Sequence, residues 1–269
     1  MILLGLLLAL ASCNQQSKTG PGAARGASVA QTSGGALRIW ADPALKGALD
    51  ALAPKFKALH PTGWTVEYKE SVMLDQGMAG SDRPDVILCA AAESKKLRVN
   101  AAFDASTERT FAGDLLALVT RKARIIPVGR VGDLPQVQFK ALGVGGPNTS
   151  LGYYSEQALV TDGAAKKVQK LTRGYGSQAR LLAAVRSGEV DLGFVYASTV
   201  AQNPDLRVST TVPEDLYEDI RYVALATKAG DSNPGTSQLL TFLAEDKDAQ
   251  QTLGAYGYVD RATAMIENR

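Results

Sequence analysis

Four short stretches place a Ser, Thr, Asn or Asp where a helix could begin. They are WADPAL with Asp42, KESVML with Ser71, GGPNTSLGYY with Asn148 and Thr149, and GYGSQARLL with Ser177 and Gln178. The simplest chemistry for each is N-capping, which contributes about 1 kcal/mol and needs no ligand. The other chemistry is anion binding, because the first turn of a helix carries free N–H groups and the positive end of the dipole. One such junction is a cap. Four of them along one chain point to a ligand.

Enzyme motifs fit poorly. GVGGPN starts like a dinucleotide fingerprint but has Asn148 at the third glycine position, and GVGGPNTS lacks the lysine of a phosphate-binding loop. GYGSQ is not a nucleophile elbow, which needs glycines two residues either side of the serine. The single histidine, His60, lies in KALHPTG at the C-terminal end of a predicted helix, where a cation is favoured and a proline stops the helix. A His-based zinc cluster is therefore nearly excluded, and a His-based triad has one residue to draw on. The acids of VPEDLYED read as a solvated face. No cofactor is indicated, and the chain reads as a non-enzyme.

The elements that must position these junctions alternate. Apolar strands are read in ALRIWA, WTVEYKES, PDVILCA, GDLLALVTR, FKALGVGG, VDLGFVYAS and IRYVALAT. Helical spacing runs through PALKGALDALAPKFKALH, with Pro54 as a kink or break, and through SLGYYSEQALV, SQARLLAAVRSGE, NPGTSQLLTFLAED and DAQQTLGAYG. Alternating β and α units imply doubly wound sheets with helices on both faces. In such sheets ligands lie beyond the carboxyl ends of the strands.

The chain has 269 residues, with 29 basic against 27 acidic, and no basic patch dense enough for nucleic acid. Two cysteines make no disulfide framework. Cys89, inside the apolar strand DVILCA, is expected to be a buried thiol. Cys13 follows the short apolar run MILLGLLLALASC, too short to span a bilayer, and Leu10–Cys13 resembles a bacterial lipobox. Residues 1–12 then read as a signal peptide and Cys13 as a lipidated anchor. Residues 13–35, rich in Gly, Ala, Ser and Gln, read as a tether with a reach of roughly 25 Å.

Several stretches, in order, resemble periplasmic solute-binding proteins of ABC importers, in particular the molybdate-binding type. They are IWADPALKGALDALAPKFKALHP, RPDVILCAAAESKKL, VRSGEVDLGFVYAS and YVALATKAGDSNPGTSQLLTFLAEDKDAQQTLGAYGYV. The resemblance implies a type II two-lobed α/β fold with two crossover hinge segments. Lobe 1 would comprise 36–113 and 222–269, and lobe 2 would comprise 114–221. It further implies an extracytoplasmic, membrane-anchored monomer that holds a small oxyanion, such as molybdate or tungstate, in the cleft and passes it to an ABC permease. A non-anionic or metal-containing solute, a sensory lipoprotein and a tethered hydrolase are the alternatives.

Carried over residue by residue, the family's first donor serine falls on Ala44, two residues after Asp42, and its second on Ser71. Its backbone amides fall at Asn148 or Thr149, since Pro147 has no N–H, and at Gln178 beside Ser177. Its tyrosine matches Tyr196. A carboxylate at Asp42 within about 5 Å of a dianion costs a few kcal/mol at an effective dielectric near 20. The expectation is that Asp42 caps its own helix and narrows or changes the ligand range.

Overall fold

A computed structural model describes residues 35–70, 73, 74, 78 and 83–260. The strands form two five-stranded sheets among these residues. The first contains β1 (Leu37–Ala41), β2 (Trp64–Tyr68), β3 (Val86–Ala90), β4 (Arg109–Asp114) and β10 (Ile220–Ala226), in the order β2-β1-β3-β10-β4. The second contains β5 (Leu116–Arg121), β6 (Leu142–Gly145), β7 (Thr172–Tyr175), β8 (Leu192–Tyr196) and β9 (Leu206–Thr211), in the order β7-β6-β8-β5-β9. Each sheet has three adjacent parallel strands, β2-β1-β3 and β7-β6-β8, bordered by antiparallel ones.

The helices are α1 (Lys46–Leu59), α2 (Ala91–Leu97), α3 (Ser150–Thr161), α4 (Ala165–Val168), α5 (Gln178–Ser187), α6 (Ala197–Gln202), α7 (Gly235–Glu245) and α8 (Lys247–Ala255). Pro54 sits inside an unbroken α1, and His60 caps its end with its ring against Phe56. In the first sheet, side chains alternate between faces. Ile39, Ala41, Val86 and Leu88 pack with Ala48, Leu49, Leu52 and Phe56 of α1, while Trp40, Ile87 and Cys89 fill a separate core behind the sheet. A strand covered on both faces must be apolar throughout, which is why VILCA reads as one run. Cys89 is a buried free thiol.

The reading of GDLLALVTR as one strand is corrected. It is the end of β4 and the whole of β5, which lie in different sheets with Leu115 between them. Asp114 fastens this crossing: Oδ1 accepts from the Leu115 and Ser198 N–H groups at 2.8 and 3.1 Å, and Oδ2 accepts from Ser198 Oγ at 2.5 Å. Burial lifts the Asp114 carboxyl to about 7 in spite of these donors. The chain returns to the first sheet through residues 212–219, where Tyr217 Oη accepts from Leu116 N–H at 3.0 Å. Asp114 and Ile220 thus both lie in strands of the first sheet, while the sequence places the boundaries at 113/114 and 221/222. No helix among the described residues is long and apolar enough to cross a membrane.

Candidate ligand-binding site

A cavity of about 210 Å³ opens between the carboxyl ends of the two parallel strand sets. Residues at the ends of β1 and β2 form one wall: Asp42, Pro43, Ala44 and Glu70. The opposite wall is built at the ends of β6, β7 and β8, and includes Thr149, Ser150, Leu151, Gln178, Ala179, Tyr196 and Thr199.

Among the described residues, the β1 corner of the first wall offers no free backbone donor. Pro43 has no N–H, and the Ala44 N–H is taken by Asp42 Oδ1 at 2.8 Å. The Ala44 carbonyl accepts from Tyr258 Oη at 2.7 Å, which pins this corner to the C-terminal segment. Asp42 is only 9% exposed. Burial, with Glu70 and Glu93 nearby, raises its carboxyl to about 7 although the Ala44 N–H opposes the shift. Burial also raises Glu70, with the Arg180 guanidinium pulling it back.

The second wall is rich in donors. In α3 the Thr149 side chain accepts from Gly152 N–H at 3.0 Å, and the first main-chain bond of the helix runs from Tyr153 N–H to Thr149 O. The Ser150 and Leu151 N–H groups precede that bond, and both residues line the cavity. Glycine allows this approach: a Cβ on Gly152 would lie 2.0 Å from the Gly146 carbonyl oxygen. In α5, Ser177 Oγ takes Arg180 N–H at 3.3 Å and Ser177 O takes Leu181 N–H; Gln178 and Ala179, whose N–H groups precede these bonds, line the cavity. Gln178 Nε2 donates to Thr199 Oγ1 at 2.7 Å, and Gln178 Oε1 is buried without a partner among the described residues. Burial, then the Asp42 charge, holds the Tyr196 hydroxyl well above the usual phenol range, so it stays a donor.

The structure brings Asp42, Ala44, Thr149, Gln178 and Tyr196 together on one cavity. It does not bring in Asn148, which is exposed before α3, or Ser177, whose side chain is spent capping α5. Ser71 and Cys13 lie outside the described residues. Sequence reasoning missed Ser150 and Glu93. The Ser150 hydroxyl donates to buried Glu93 Oε1 at 2.8 Å, a bond from α3 to α2 that ties the two sheets together beside the cavity. The signal for Glu93 was an acid three residues beyond an apolar strand.

Residues 37–259 match the profile of a family described as "Bacterial extracellular solute-binding protein". The chain belongs to that family. Its members bind solutes and are not enzymes. The molybdate-binding protein ModA of Azotobacter vinelandii is 35% identical over 124 residues, 45% of this chain and 48% of that protein. The chain thus aligns with about half the length of this curated relative. The solved periplasmic molybdate-binding protein of A. vinelandii superposes with a TM-score of 0.71 at 20% identity, covering 83% of this chain and 98% of that one. The sulfate-binding protein SubI of Mycobacterium tuberculosis gives 0.67 at 15% identity, covering 87% and 90%. These likenesses establish the type II periplasmic binding protein fold for this solute-binding chain.

Proposed function

We propose that the chain is an extracytoplasmic solute-binding lipoprotein, anchored through Cys13, that encloses a small oxyanion and delivers it to an ABC permease. Molybdate or tungstate is the first ligand to try. The observation that carries this reading is the second wall, where the first-turn residues Ser150, Leu151, Gln178 and Ala179 line one cavity with Tyr196. Neutral donors in a dry site hold an anion without a countercharge, and they reject wrong ligands by geometry. The Gln178 amide adds to them by turning over: Nε2 would then face the cavity while Oε1 accepts the Thr199 hydroxyl proton. Closure would hinge on the crossings at Leu115 and 212–219, bringing lobe 1 and lobe 2 onto the ligand.

Thermal denaturation with molybdate, tungstate, sulfate, phosphate, divalent metals, sugars and amino acids tests the ligand. An oxyanion at one hundred times its Kd adds about 2.7 kcal/mol, or roughly 5–10 °C in Tm for a chain of this size. No shift with any oxyanion at millimolar concentration would sink the reading. The Asp42 and Glu70 carboxyls favour a second one, a solute without strong negative charge, whose signature is a shift with a metal, sugar or amino acid alone.

A further inference from the structure

Resting on the oxyanion reading above, we infer that the site takes its ligand together with one proton, held between the Asp42 carboxyl and a ligand oxygen. The species bound is in effect a hydrogen oxyanion, and Asp42 is the specificity-determining residue. Among the described residues of the β1 corner, only the Asp42 carboxyl can supply a donor, and only when it is protonated. Pro43 has no N–H, Ala44 has no hydroxyl, and the Ala44 N–H is committed to Asp42 Oδ1. That bond uses Oδ1, and Asp42 lines the cavity.

The groups that face Asp42 give no cation to neutralise it. They are Glu70 beyond β2, Glu93 on α2, Cys89 on β3, Tyr196 on β8, Tyr222 on β10 and Tyr258 at the C-terminal end. Arg180 on α5 acts on Glu70, and no ion pair forms on Asp42 among the described residues. An ionised Asp42 and a dianion in one dry cavity repel. A proton on Asp42 removes the repulsion and turns an acceptor into an O–H donor, doing what a serine hydroxyl does elsewhere. Burial and the neighbouring carboxyls already place this protonation near neutrality, so the proton comes from the solvent within the working pH range.

The test is calorimetric titration of the full chain with tungstate, a dianion that carries no proton of its own near neutrality, from pH 5.5 to 8.5. Buffers of different ionisation enthalpy report proton uptake. The expected result is affinity that is flat below about pH 7 and falls close to tenfold per unit above it. About one proton is taken up per tungstate at pH 8. D42N keeps the cap oxygen and offers an N–H₂ donor, so its affinity should be flat and its uptake near zero, whereas E70Q should keep the slope. If D42N fails to fold by its melting curve, D42S replaces it. Tungstate binding with no pH dependence and no proton uptake in the wild type overturns this inference and leaves the oxyanion reading standing. A slope that survives in D42N and vanishes in E70Q moves the proton to Glu70 and overturns the assignment to Asp42. Failure of tungstate, molybdate, sulfate and phosphate to bind at any of these pH values overturns both.

Discussion

The two walls of the cavity are built on the same backbone plan and carry opposite chemistry. Each sheet ends in three neighbouring parallel strands. Beyond β1, β2 and β3 come Asp42, Glu70 and Glu93. Beyond β6 and β7 come Thr149 with Ser150, and Gln178; Tyr196 ends β8 and Thr199 follows it. The third residue of α2 is Glu93 and the third of α6 is Thr199, so the correspondence holds down to the position within a turn. The fold supplies strand–helix corners on both sides, and the side chains decide what each corner does. A Thr or Ser cap leaves two amides free for a ligand. An Asp followed by Pro uses or removes them. One wall is therefore suited to hold charge, and the other sets the protonation condition for holding it.

That contrast makes predictions, beginning with the largest effect. Buried Asp42, just after β1, and Asp114, at the end of β4, have carboxyls raised from 3.8 to about 7. The native state then holds protons that the unfolded chain has released, so stability falls as pH rises from about 4 to 7, by up to about 1.4 kcal/mol per unit for each group. Denaturant titrations across this range should show the decline, and D42N should remove one group's share of it. An equal slope in D42N would mean Asp42 is ionised in the native state.

On the donor wall, Gln178→Pro should weaken oxyanion binding about 10- to 100-fold relative to Gln178→Ala. This comparison isolates one backbone N–H to a charged ligand, worth about 1.5–3 kcal/mol. Proline fits there, because Ser177 is extended (φ −149°, ψ 152°) and the position is the first of α5. Equal affinities for the two variants would remove the α5 amides from the site.

Asp42→Ser should strengthen tungstate binding about tenfold at pH 8 and leave it little changed at pH 6. The penalty at Asp42 is limited to the cost of adding a proton one unit above its pKa. Absence of a gain at pH 8 would show that Asp42 does not oppose the anion.

Ser150→Ala removes the hydroxyl that bonds Glu93 across the two sheets. A loss of about 1 kcal/mol in a denaturant titration is expected, since a buried carboxylate loses one of its donors. An unchanged midpoint would mean that the bond does not link the walls in solution.

How much of this was legible in the sequence follows from which signals are local. The strands of the parallel cores are covered on both faces and appear as apolar runs, as in RIWA and VILCA. The edge strands β7 and β9 were missed because their side chains are largely exposed and carry no such run. Asp42 and Pro43 announced their corner by cap chemistry alone. Glu93 did not, because VILCAAAE passes from strand to helix through alanines that mark no boundary. At GGPNTS the junction was plain but its phase was not. The turn of α3 puts Ser150 and Leu151 on the cavity and leaves Asn148 in solvent, and that depends on where the helix begins to the residue.

A crystal structure of the tungstate complex at pH 6 tests the central claim most directly, since the metal locates itself by its scattering. The account predicts the anion in the cavity, with oxygens about 2.7–3.2 Å from the N–H groups of the first turns of α3 and α5 and about 2.5–3.0 Å from an Asp42 carboxyl oxygen. Tungstate bound elsewhere, or in the cavity with Asp42 turned away and a cation between them, would contradict it.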